Sequence, residues 1–376
     1  MFRFLGLLLL WVLACCGALR AEPGLFLEVE RWRIERIMEM GYSMDPGTEA
    51  EIEALAAVFP ESPVPGVLEA GYLYWMQNYQ AWDEELKTEF EQRSEEALER
   101  AKEYLKERPE DPDARFAVAM VELMQVIYYV DHHRWWPAFW KSRSSLKTMR
   151  KLLAEYPDYH DAKLPLGMQH CYLSRTPAYL KPLAFLMRFK GDWETGLLYM
   201  KEAGEGGLFC KVDAGYYLAA IRMELEGDAQ ASRDEMAKLA ERFPGNLKFA
   251  AMLAELERGL GKQAVAKAGA LAVLADERAA AFAGIRGRTL VTLLWSSLGD
   301  GDFEQALEAA EALRLLAAEH EGFDYDLAWV DFVEAEALWG LGKRDAAREG
   351  WERVEGGSHE AAAAAARKRL SQEAEQ

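Results

Sequence analysis

Apolar residues recur along this chain at intervals of three and four, and Gly-Asp or Gly-Lys pairs interrupt the recurrence at near-regular distances. Such runs predict amphipathic helices, each with one buried face. Gly191-Asp192, Gly227-Asp228, Gly261-Lys262, Gly301-Asp302 and Gly342-Lys343 each end one run and open the next, 36, 34, 40 and 41 residues apart. A glycine closes a helix through a left-handed turn, and an aspartate after it caps the next helix by accepting from free backbone N–H groups. Asp302 and Gln305 have capping-box spacing. Five residues past the glycines stand Gly196, Ser232, Ala266, Ala306 and Ala347, small enough for paired helices to approach closely. Larger packing residues follow them, as Met200 and Ala203, Met236 and Leu239, and Trp351 and Val354. A helical unit recurring near about 34 residues is the tetratricopeptide signal. The fold class predicted is all-α, a tetratricopeptide-like superhelix (solenoid) of antiparallel helix hairpins.

The N-terminal part follows a longer ruler. The pattern predicts helices over 25–40, capping the N-terminal edge, and over 49–58, then an apolar run over 67–79 and a charge-laced helix over 84–108. Pro60, Pro109 and Pro157 close successive units 49 and 48 residues apart, as expected where a helix cannot continue. Ser145, Met149, Lys151, Leu152, Tyr156 and Pro157 repeat in register as Ser232, Met236, Lys238, Leu239, Phe243 and Pro244, which points to internal duplication. Three segments result: an export signal over 1–21, enlarged helical hairpins over 22–160, and tetratricopeptide-like repeats with a C-terminal capping helix over 161–376. That last helix, with Ser358 as its cap, is read as a solvent-facing end piece. The junction over 176–191 is expected to form a short helix from about Pro182 to Arg188 that seals the core, because Pro177 and Pro182 break the chain while Phe185 and Phe189 need burial.

Gly167, Tyr172-Leu173-Ser174, Thr176-Pro177, Lys181-Pro182-Leu183, Phe185-Leu186 and Phe189-Lys190-Gly191-Asp192-Trp193 with Gly196-Leu197 resemble the signature block of the tetratricopeptide repeat 39 family and its bacterial relatives. The resemblance covers residues from about 162 to 246. It implies an all-helical protein-interaction module with no catalytic residues. The eukaryotic members are intracellular, whereas this chain begins with the layout of an export signal.

That layout is Arg3 ahead of an apolar run from Leu5 to Ala14, with a small-residue exit at Cys15-Cys16-Gly17-Ala18. The run is shorter than the roughly 20 apolar residues of a bilayer span. Val12-Leu13-Ala14-Cys15 approximates a lipoprotein box and makes Cys15 a candidate lipidation site. Cleavage after Ala21 is the other route, leaving a soluble chain that starts at Glu22. The expected location is periplasmic or, through a lipid, membrane-anchored. Without residues 1–21 the chain has 44 − 2 = 42 basic against 63 acidic residues. Acidity of that size removes the electrostatic term behind nucleic-acid binding and disfavours anionic membranes. Cys171 and Cys210 remain in the folded body, where a disulfide and two buried thiols are both open.

No His-Glu-x-x-His, Gly-x-Ser-x-Gly, Gly-rich phosphate loop or paired-cysteine spacing occurs, so the reading is non-catalytic, with no cofactor and no metal. The leading function is an exported scaffold that mediates protein–protein interaction in the cell envelope, binding a protein or peptide segment on the first helices of its hairpins. Counted from the glycines, the concave-face candidates are Lys181, Phe185, Tyr217, Ile221, Glu224, Glu255, Arg258, Trp295, Phe332, Glu336 and Trp339. The second reading centres on Asp131-His132-His133-Arg134-Trp135-Trp136-Pro137-Ala138-Phe139-Trp140. That stretch is an aromatic hinge between two helices or a shelf for binding or processing a small molecule or glycan; its adjacent histidines do not share a helix face, which argues against a metal.

Overall fold

The computed structural model describes residues 31–175, 191–320, 323 and 325–374, and among them every regular element is helical. The segment expected to be an export signal, Cys15, and the junction over 176–190, with its expected helix and with Lys181 and Phe185, lie outside the described residues. The helices are α1 (Arg31–Tyr42), α2 (Thr48–Val58), α3 (Val64–Gln80), α4 (Glu84–Glu107), α5 (Pro112–Asp131), α6 (Trp135–Glu155), α7 (Lys163–Ser174) and α8 (Trp193–Gly206). They continue as α9 (Lys211–Ile221), α10 (Ala229–Arg242), α11 (Leu247–Gly259), α12 (Gln263–Leu274), α13 (Ala283–Asp300), α14 (Phe303–Glu319), α15 (Leu327–Gly340), α16 (Arg344–Glu355) and α17 (Glu360–Ala374). Sequence-adjacent helices pack on one another along the chain, and α11, α13, α15 and α17 also touch, each with the next.

The punctuation read from the sequence works as local chemistry. Gly227, Gly261, Gly301 and Gly342 have φ of 68°, 77°, 79° and 77°, the left-handed region that a side chain strains; Gly191 is not left-handed, and what excludes a side chain there is space, since a Cβ would stand 2.1 Å from the Ser174 nitrogen. The Asp192, Asp228 and Asp302 carboxylates accept from the N–H groups of Thr195, Ala231 and Gln305. The capping box is half made, because the Gln305 side chain donates to Glu308 instead. Gly196, Ser232, Ala266, Ala306 and Ala347 are all buried. At the α7–α8 crossing the demand for a small residue is strictest: a Cβ on Gly196 would stand 2.5 Å from Cys171 Sγ. Cys171 and Cys210 are both buried free thiols.

The duplicated closing segments share a backbone as well as a spelling. Tyr156 (φ −131°, ψ 84°) and Phe243 (φ −121°, ψ 68°) cap α6 and α10, each N–H bonded to the leucine carbonyl four residues back. Phe59 and Arg108 adopt the same conformation before Pro60 and Pro109, since a proline ring excludes the helical state for its predecessor. At the far end, α17 is capped by His359, whose Nδ1 accepts from the Ala362 N–H at 3.1 Å, rather than by Ser358.

One long-range feature departs from the expected row of hairpins. α1 does not cap an edge; it and α3 pack on the C-terminal half. The Asn246 side chain donates to the Tyr42 carbonyl at 2.7 Å, Arg242 pairs with Glu39 at 3.1 Å, and Lys248 Nζ lies 3.1 Å from Asn78 Oδ1. α3 touches α13, and Tyr79 meets Phe282 edge-on with centroids 5.8 Å apart. Ala81 and Trp82 then turn through φ of 42° and 45°, and Trp82 stacks near Phe323 at 5.1 Å. Gly284 allows this approach, because a Cβ there would come 2.8 Å from that of Ala81.

Gly227→Val tests the turn chemistry. No atom lies within 4 Å of the added Cβ, so the penalty is backbone strain alone, roughly 1–3 kcal/mol. Thermal or denaturant melts read it; an unchanged midpoint shows that the turn tolerates a β-branched residue.

Candidate functional site

Three features compete for the role of site: the row of concave-face candidates, the aromatic stretch at 131–140, and an internal cavity. The described members of the row are spent on one another and on neighbouring helices. Glu255 on α11 pairs with Arg288 on α13 at 2.7 Å. Trp295 on α13 meets Trp329 on α15 at 5.8 Å, and Phe332 packs edge-on against the same indole. Glu336 on α15 takes a two-point bond from Arg369 on α17 at 2.5 and 2.6 Å. Trp339 lies 5.2 Å from Trp351 and under the Arg344 guanidinium. Glu224 accepts from the Tyr172 hydroxyl at 3.0 Å, and Tyr217 shares a hydrogen bond with Tyr74 at 3.2 Å. Ile221 is fully buried and so is a core residue rather than a groove residue. Arg258 is the exception, with an Nε that has no hydrogen-bond partner among the described residues.

The aromatic stretch forms the turn between α5 and α6 and the start of α6, as the hinge reading expects. His133 takes φ 57° in the turn, and His132 Nδ1 lies 2.8 Å from the Tyr128 carbonyl, its ring packed on that tyrosine. Arg134 folds back over Tyr129 and pairs with Glu91 at 2.6 Å. The tryptophans are left outside: Trp135, Trp136 and Trp140 are 62%, 71% and 52% exposed. Trp136 and Trp140, one helical turn apart, meet edge-on at 5.8 Å, and Phe139 stacks on Trp136. Soluble surfaces rarely leave apolar rings clustered in this way without a use.

The cavity measures about 450 Å³ and is bounded by α1, α2, α3, α5, α7 and α9 and by the segment around Phe282. Met38, Met44, Met76, Met120, Met124 and Met168 line it, six of the chain's 14 methionines. Asp213, in the first turn of α9, also faces it. Burial pushes its carboxyl up to about 6, with the Tyr42 hydroxyl and the Trp75 indole opposing the shift. None of residues 131–140 touches this space. Sequence reasoning did not find it, because its walls come from helices up to about 240 residues apart; the early concentration of methionines was the available signal.

Two further buried groups shape the interior without facing the cavity. Asp113 Oδ1 accepts from the Tyr159 hydroxyl at 2.6 Å while its other oxygen has no partner among the described residues. Burial raises this carboxyl to about 8. Asp161 accepts from the N–H groups of Leu208, Phe209 and Cys210, which fixes the entry to α9. Among the described residues no three His, Cys, Asp or Glu side chains cluster as metal ligands would, and no helix is long and apolar enough to cross a membrane. Neither the protein-family models nor the curated proteins contain a match to this chain.

Proposed function

We propose that this protein is an exported, non-catalytic scaffold of tetratricopeptide-like hairpins in the cell envelope, and that it docks a protein segment on the aromatic shelf at the α5–α6 turn. Contacts from α11 to α13, α13 to α15 and α15 to α17 support a solenoid arrangement. The resemblance to the tetratricopeptide repeat 39 family supports the same interaction role and remains part of this proposal. The observation that carries the docking site is the contrast in engagement. Every described concave-face candidate except Arg258 is buried or held by a neighbour, whereas Trp135, Trp136 and Trp140 are each more than half exposed within the first two turns of α6. Exposed tryptophan beside arginine is the composition of interface hot spots.

Trp136→Ala combined with Trp140→Ala tests the proposal. Both rings are largely in solvent, so stability changes by no more than about 0.5 kcal/mol. In pull-downs from the envelope fraction, a protein captured by the wild type should be lost from the double variant and kept by Leu198→Ala, an exposed control on α8. Unchanged capture by the double variant overturns the shelf as the docking site.

A further inference from the structure

We propose that the internal cavity is a binding site for an amphiphile with a protonated amine head and an aliphatic tail, the head against Asp213 and the tail among the methionines. At about 450 Å³ this partly open cavity is far larger than the water-sized gaps that close packing leaves. It lies within the roughly 300–1,000 Å³ range of small-molecule sites.

The walls state the chemistry of the tail. Met120, Leu123, Met124, Ile127 and Met168 come from α5 and α7 and offer only hydrocarbon and thioether surface. Unbranched thioether side chains adapt to a flexible chain better than branched ones do.

The head group follows from the charges. Three charged side chains reach the wall: Asp45, Arg278 and Asp213. Arg278 is committed to Asp276 at 2.8 Å and to the Gly245 carbonyl at 3.1 Å. Asp45 is occupied in its own turn, accepting from the Gly47 N–H at 2.8 Å. Asp213 has the neutral Tyr42 hydroxyl and Trp75 indole as donors but no cation paired with it among the described residues, and a buried carboxylate without a countercharge is costly. Tyr42 and Trp75, which contact Asp213, and Tyr217 also line the cavity, and aromatic rings attract an ammonium group. A fatty carboxylate would meet Asp213 with like charge, and an alcohol would forgo the ion pair.

Decylamine, decanol and decanoate, titrated below their micellar concentrations into the purified full chain at about pH 7.5, separate these cases; an alkylammonium, titrating near the lysine value of about 10, carries its charge there. Calorimetry should show decylamine binding at least tenfold tighter than decanol, and decanoate weakest. Asp213→Asn should bring decylamine to within about threefold of decanol, and Met124→Trp should weaken both by filling the tail space. The wild-type series stands even where a variant fails to fold. Equal binding of the three probes, or no binding, overturns the proposal, as does an amine preference that survives in folded Asp213→Asn.

Discussion

Phe249→Ala is expected to destabilise the protein by roughly 3–5 kcal/mol, the usual penalty for emptying a buried phenylalanine site, and to loosen both ends of the chain together. Phe249 is fully buried on α11. Its ring is surrounded by Tyr42 of α1, Trp75 of α3, Tyr216 of α9 and Phe243, with centroids 6.2 to 6.5 Å away. Those neighbours come from distant parts of the chain: two precede residue 80 and two follow residue 210. The cavity left by the ring therefore opens the contact between the N-terminal helices and the α9–α11 region. Hydrogen exchange should show protection lost over α1 and α3 as well as α10 and α11. Trp351→Ala is the comparison, since Trp351 is equally buried but packs within the α15–α17 cluster. Its loss should stay in the C-terminal helices. If Phe249→Ala affects α11 alone, the N-terminal helices are held by other contacts and the aromatic cluster is not the clasp.

The contrast between these two residues shows what was legible in the sequence. Trp351 sits in a helix whose role follows from local spacing, and its burial was expected from its place four residues past Ala347. The small-residue column, the left-handed glycines and the pre-proline caps were legible for the same reason: each requires only residues within one or two turns. The N-terminal docking was not. Asn246 caps α11, accepting from the Phe249 N–H at 3.0 Å. That its amide also holds the Tyr42 carbonyl 204 residues away has no local signature. That the candidates counted from the glycines are engaged by neighbouring helices was not legible either, because Glu255, Trp295 and Glu336 look alike whether a ligand or the next helix faces them. Asp213 was lost among 63 acidic residues, since only the fold distinguishes a carboxylate in a cavity from one in water.

Lys248→Met should stabilise the protein on the order of 2–4 kcal/mol at neutral pH, by removing a charge the interior accommodates poorly. Lys248 is buried, its ammonium 5.5 Å over Trp75 and 5.8 Å over Tyr216, with Asn78 Oδ1 as its hydrogen-bond acceptor and no carboxylate within ion-pair distance among the described residues. Burial first, and repulsion from Arg288 second, lower the amine to about 7, while Asp131 opposes the shift. A base depressed in the folded state binds fewer protons there than in the unfolded chain. Its contribution to stability is therefore complete above the unfolded value of about 10.5 and is lost as pH falls through about 7. Asp113 has the opposite sign: with its carboxyl raised to about 8, stability is lost as pH rises from the usual carboxylate range through that value. Wild type should consequently gain stability on Lys248's account between about pH 7 and pH 10, partly offset by Asp113 below about pH 8. Methionine retains much of the stem against Trp75 and has no proton to lose, so the variant should start higher and lack the climb. Urea denaturation of both proteins across that range measures the difference. Curves that run parallel, at whatever separation, would mean that Lys248 keeps an ordinary amine in the folded state and that the charge is solvated after all.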